Sequence, residues 1–134
     1  MADVVDIEGV GEVYARKLSD AGVKTVEALL KAGATPAGRK GVADQAGISG
    51  DLILKWVNHA DLFRINGVAG EYAELLEAAG VDTVPELAQR SGGNLQAKMA
   101  EVNDSRHLVR RVPSDSEVQK WVAEAKRLSR VVEY

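Results

Sequence analysis

Few residues in this chain have the type and spacing to do chemistry. There are two histidines, His59 and His107, and no cysteine, so disulfides and thiolate metal sites are excluded. Neither histidine stands at a His-x₃-His spacing or beside a carboxylate cluster, and metal binding is not expected. No Ser-His-Asp arrangement, glycine-rich nucleotide loop or acid/base pair stands out. The chain reads as non-enzymatic, with no cofactor. What remains is charge. Arg106, His107, Arg110 and Arg111 make the densest positive stretch, and Lys126, Arg127 and Arg130 make another. Such clusters suit an anionic surface, or stand solvated with Glu117 and Glu124 pairing along the last helix.

The overall charge works against a polyanionic partner. At 134 residues the net charge is −3 and the pI about 5.4, whereas affinity for nucleic acid scales with the number of phosphates neutralised. Residues 1–64 hold 8 Lys/Arg against 9 Asp/Glu, and residues 65–134 hold 9 against 11. A nucleic-acid partner therefore needs a local patch. No apolar run approaches the roughly 20 residues of a membrane span. Met1-Ala2-Asp3 lacks the basic and apolar regions of a signal peptide, so a cytoplasmic location and no membrane partner are expected.

The elements that must position these groups are helices. Apolar residues recur at three- and four-residue steps, and no stretch alternates long enough to be a strand. Helices are expected from Glu12 to Gly22, from Thr25 to Gly33, from Thr35-Pro36 to Gly47, and from Ser49 to about Phe63. A second series runs from Gly70 to Gly80, then opens at Thr83 with Glu86 as a capping box. It continues from Asn94 to Val102 after a Ser91–Asn94 turn, then over Arg106–Arg111 up to Pro113. The last helix opens at Ser114 with Glu117. The fold class is all-α, about nine short helices.

The two series repeat each other. Between residues 7–29 and 65–87, 12 of 23 positions are identical, including Ile7/Ile65, Gly9/Gly67, Tyr14/Tyr72, Leu18/Leu76 and Gly22/Gly80. Lys55-Trp56-Val57 and Lys120-Trp121-Val122 correspond further on. Two pseudo-repeated halves, 1–64 and 65–134, follow as the expected organisation. Trp56 and Trp121, like Tyr14 and Tyr72, sit on apolar faces and read as core.

The repeated signature (apolar-x-Gly-apolar-Gly/Ala, an Ala and a Leu at helical spacing, then Gly-Val) resembles the helix-hairpin-helix family. The whole chain also resembles a family of small bacterial tandem-hairpin proteins catalogued as a domain of unknown function. Ile7-Glu8-Gly9-Val10-Gly11, Gly33-Ala34-Thr35-Pro36, Leu54-Lys55-Trp56-Val57-Asn58 and Ala78-Ala79-Gly80-Val81-Asp82-Thr83 carry that resemblance. It implies backbone N–H groups at Gly9, Val10 and Gly11 approaching a nucleic-acid phosphate without reading bases. Arg16, Lys17 and Lys24 would supply the charge, and Arg106, Arg110 and Arg111 a secondary basic patch. Double-stranded DNA or another nucleic acid is then the expected partner, with a partner protein as the alternative.

The copies differ. The second reads Gly67-Val68-Ala69-Gly70 among Glu71, Glu74, Glu77 and Asp82, and Glu74 and Leu75 replace Arg16 and Lys17. Like charges repel phosphate, so this hairpin is expected to be structural. Ala43, Gly47 and Ile53 also match helix-turn-helix spacing, with Asp51, Lys55 and Asn58 as exposed readers of a groove. Asp51 at the leading end argues against that alternative.

Overall fold

The structure, a computed structural model, describes residues 2–134. Among these residues the chain is all-α, with eight helices and no strand. One isolated antiparallel bridge joins Asp3 and Thr25. The chain divides into two compact units, Met1–Asp61 with Val131–Tyr134, and Leu62–Arg130.

The first unit opens with a 3₁₀ turn, Val4–Asp6, closed by the Asp3 N–H donating to Asp6 Oδ2 at 3.0 Å. Helix α1 (Gly11–Asp20) packs on that turn. It ends at Gly22, whose φ of +87° is the left-handed conformation that L side chains resist. Val23 N–H then reaches back to Leu18 O at 2.8 Å, and Gly22 N–H to Ser19 O at 3.0 Å. These two bonds satisfy carbonyls that the helix leaves open, while the buried Val23 and Leu18 side chains close the end. Helix α2 (Val26–Ala32) starts at Thr25, whose hydroxyl accepts the Ala28 N–H at 3.0 Å. Helix α3 (Pro36–Ala46) starts likewise at Thr35, with Pro36 at its first position, and stops at Gly47, φ +67°. Helix α4 (Gly50–Leu62) follows Ser49, whose hydroxyl accepts the Leu52 N–H at 3.3 Å. Its Ile53, Trp56, Val57 and Ala60 are buried.

The second unit contains α5 (Gly70–Ala78), α6 (Val84–Ala88), α7 (Gly92–Arg106) and α8 (Asp115–Arg127). Helix α8 packs on α6 and α7. Their apolar faces form one core that includes Ile65, Leu75, Leu76, Leu87, Leu95, Met99, Val118 and Trp121. Gly80, φ +97°, closes α5 with the bond pair seen after α1: Val81 N–H to Leu76 O at 2.9 Å and Gly80 N–H to Glu77 O at 3.0 Å.

Three local expectations are corrected here. Ser91–Asn94 is not a turn before a helix at Asn94; α7 begins at Gly92. Gly92 lies against α8, where a Cβ would stand 2.7 Å from Gln119 Cγ, so the glycine serves this close approach and not a turn. Arg106–Arg111 is not a helix. Helix α7 ends at His107, φ +52°, and the Asn103 amide clips the following loop, accepting Val109 N–H at 2.9 Å and donating to Val109 O at 3.1 Å. Thr83 forms no capping box either: its hydroxyl donates to Glu86 Oε1 at 3.2 Å and caps no amide. The Ser114/Glu117 box is present at the start of α8.

Candidate nucleic-acid interface

The first hairpin is built on a change of backbone hand. Gly9 has φ +90°, Val10 sits at φ −70°, ψ −56°, and Gly11 has φ +65°. A left-right-left sequence of this kind curls successive N–H groups into an anion-binding concavity, and only glycine takes its left-handed positions cheaply. Because α1 begins at Gly11, the amides of Gly11, Glu12 and Val13 have no carbonyl of their own helix to bond. They also mark the positive end of its dipole. Val10 is different. Its N–H donates to Ile7 O at 3.2 Å, and its side chain, 1% exposed, anchors the hairpin in the core. Val10 therefore positions the loop, and the donors left for a ligand lie at its glycines and the first turn of α1. Trp56 supports the loop from below. A Cβ at Gly9 would stand 3.9 Å from its Nε1, and the Tyr14 ring tilts against it with centroids 5.1 Å apart.

Arg16 and Lys17 are both exposed on α1. They line one surface depression of about 290 Å³ with Glu12, Val13 and Asp20. The Lys17 ammonium lies 5.8 Å from the Tyr14 ring centroid, an approach that restrains the side chain. Lys24 is not brought to this place. It lines another depression with Asp3, Val4, Val5, Ala15 and Ser19, and its carbonyl accepts the Val4 N–H at 3.1 Å. The geometry thus groups two of the three basic residues with each other and with two carboxylates on α1, the helix that follows the hairpin.

At the second hairpin the backbone pattern stops one residue early. Gly67 has φ +88°, but Ala69 is extended at φ −127°, ψ −165°. The Asn66 N–H already donates to a carboxylate, Glu124 Oε1, at 3.1 Å. Trp121 lies below, with a Cβ at Gly67 placed 3.3 Å from its Nε1, and Tyr72 tilts against it at 5.4 Å. The Tyr72 hydroxyl donates to Arg111 O at 2.9 Å. The sequence suggested Glu124 only as a pairing partner along the last helix and not at this loop, although its spacing of three residues from Trp121 places it one helical turn from the indole beneath.

Arg106, Arg110 and Arg111 do not share one helix. Arg106 ends α7, whereas Arg110 and Arg111 lie in the loop that Asn103 clips. Arg111 is also bound, bidentate to Glu117 at 2.7 and 3.0 Å. That hydrogen bond, then the Ser114 N–H, holds the Glu117 carboxyl down at about 2 against an ordinary 4.5, and the same pair pushes the guanidinium further up. Arg111 offers little free charge to a ligand. The helix-turn-helix alternative loses a reader, since Asn58 is only 7% exposed and accepts the Tyr134 hydroxyl at 2.8 Å. His59 is fully buried and His107 exposed; among the described residues no three His, Cys, Asp or Glu converge as a metal site.

Among the described residues no helix is long and apolar enough to cross a membrane. Neither a curated protein nor a solved structure matches the chain significantly. One family model does match, over residues 8–128, which takes in both hairpins, both tryptophans and all eight helices. The chain belongs to that family, described as Domain of unknown function (DUF4332).

Proposed function

We propose that this is a non-enzymatic binding protein that holds a nucleic-acid backbone weakly, without sequence preference, at its first hairpin. In this reading the two units are pseudo-repeated helix-hairpin-helix-type modules offset by 58 residues, in a cytoplasmic bacterial protein. The observation that carries it is the left-right-left backbone at Gly9-Val10-Gly11, followed by α1, which carries Arg16 and Lys17 exposed. Amides and a helix start can hold phosphate oxygens of any sequence, which gives position without base readout. Glu12 and Asp20, together with the net charge of −3, keep the affinity low. The second hairpin serves the fold, its donor held by Glu124.

Fluorescence anisotropy with a short labelled duplex at low salt tests this. Binding in the micromolar range is expected, weakened about tenfold or more by Arg16→Glu with Lys17→Glu, equivalent to about 1.4 kcal/mol per decade. An affinity unmoved by that pair, or no binding at tens of micromolar, overturns it. A protein partner is the second reading, favoured by Val13, which is 71% exposed on the same depression. A partner protein that co-sediments without nucleic acid, and is released by Val13→Asp, would select it.

A further inference from the structure

Asn66, Gly67, Lys120, Trp121, Glu124 and Arg127, all in the second unit, line a depression of about 430 Å³. Lys120, Glu124 and Arg127 follow one another at steps of four and three residues, on one face of α8. The carboxylate between these two cations bonds neither. Glu124 Oε1 accepts the Asn66 N–H at 3.1 Å, and among the described residues Lys120 and Arg127 make no ion pair. Glu117 also lines the depression, but its charge is committed to Arg111 at 2.7 and 3.0 Å. The loop amide thus already draws an oxyanion, and the chain itself supplies it.

A second donor faces the same space. Trp121 is 4% exposed, and its Nε1 stands 3.3 Å from where a Cβ on Gly67 would lie. Gly67 and Trp121 both line the depression, so the bare glycine leaves the indole N–H open to it. That N–H has no acceptor among the described residues, although an indole so nearly buried ordinarily finds one. Two uncommitted cations and an uncommitted donor therefore converge beside the one amide that Glu124 occupies.

We propose that this depression is a phosphate site that Glu124 holds shut. In the closed state the loop serves the fold; an incoming anion takes the place of the Glu124 carboxylate on the Asn66 N–H. The ligand is a dianion for a physical reason. A carboxylate from solution has no advantage over the tethered Glu124, whose effective concentration is of order mM. A phosphate dianion faces Lys120 and Arg127 with twice the charge, and its tetrahedral oxygens can accept from Asn66 and Trp121 together. The end of α8 at Arg127 disfavours an anion, which keeps the closed chain's affinity low.

The test follows the two indole N–H proton resonances of the full chain as inorganic phosphate is added at about pH 8, where it is a dianion. Sodium chloride at matched ionic strength is the control. In the parent the Trp121 resonance should move only at high phosphate. Glu124→Gln keeps an amide oxygen that can tie the loop, as unchanged circular dichroism would verify, and should lower the midpoint about tenfold or more. Adding Lys120→Gln and Arg127→Gln to that variant should raise it again. A Trp121 resonance in Glu124→Gln that stays still, moves no earlier than in the parent, or moves equally with chloride overturns the proposal. So does a midpoint indifferent to the two cations. The inference does not rest on the nucleic-acid reading: Trp56 reports on the first hairpin through its own resonance, so either can fail while the other stands.

Discussion

Gly11→Ala writes the second hairpin's Gly-Val-Ala into the first. A Cβ at Gly11 meets nothing within 4 Å, so no clash enters the cost. What the substitution meets is torsional, since Gly11 sits at φ +65° and an L-residue held there costs about 1–2 kcal/mol. The chain has an escape that the molecule itself displays: Ala69, at the corresponding place, is extended at φ −127°. Taking that route relieves the strain but flattens the left-right-left curl. Stability should therefore fall by about 1 kcal/mol or less, while phosphate affinity falls by about tenfold or more. Urea unfolding followed by circular dichroism measures the first quantity, and duplex anisotropy at low salt the second. Gly22→Ala is the control: it too has open space around the Cβ at φ +87°, so it should lose similar stability and keep affinity. If the two variants lose affinity equally, the concavity at the first hairpin is not what binds.

Arg16→Glu with Lys17→Glu should also flatten the salt dependence of binding, by about 0.9 in log–log slope for each phosphate that the variant no longer neutralises. Glu117→Gln probes acid stability. Because the folded carboxyl is depressed to about 2 from 4.5, its contribution is present above pH 4.5 and disappears as the pH falls toward 2. The variant should show a flatter decline of stability than the parent across that window, read as urea midpoints at several pH values. Gly33→Ala would drive a Cβ into Val57 Cγ2 with Leu29 O also close at 3.1 Å, an overpacking cost of about 1–3 kcal/mol; an unchanged midpoint would contradict the close approach of the α2 end to α4. Asn103→Ala removes both bonds to Val109 and should cost about 1–3 kcal/mol by stranding the Val109 amide, with a measured cost below about 0.3 kcal/mol arguing against the clip.

The parts of this fold legible in the sequence are those decided within a few residues. Thr25, Thr35 and Ser114 cap helices because a hydroxyl three residues before an amide can reach it whatever the rest of the chain does. Gly22, Gly47 and Gly80 end helices because only a residue without a Cβ takes their torsions readily. Where distant groups intervene, local reading misled. Gly92-Gly93 looks like a turn until Gln119 is found against it. Arg106–Arg111 looks helical until Asn103 competes for the backbone that follows. Arg111 looks like free charge until Glu117 takes it. At the candidate site, the left-handed torsions of Gly9 and Gly11 could be expected from residue type alone. The bonding of Val10 to Ile7, the separate placement of Lys24 and the capture of Asn66 by Glu124 could not. The docking of Tyr134 on Asn58 spans 76 positions and left no periodic trace at all.

Each glycine pivot rests on an indole, and the chain has two tryptophans in all. Replacing Trp121 with phenylalanine leaves a protein whose indole emission comes from beneath the first loop alone; replacing Trp56 isolates the second. The molecule so carries a private fluorophore under each of its two hairpin loops, and the anion binding proposed for the first would be open to test without attaching any label.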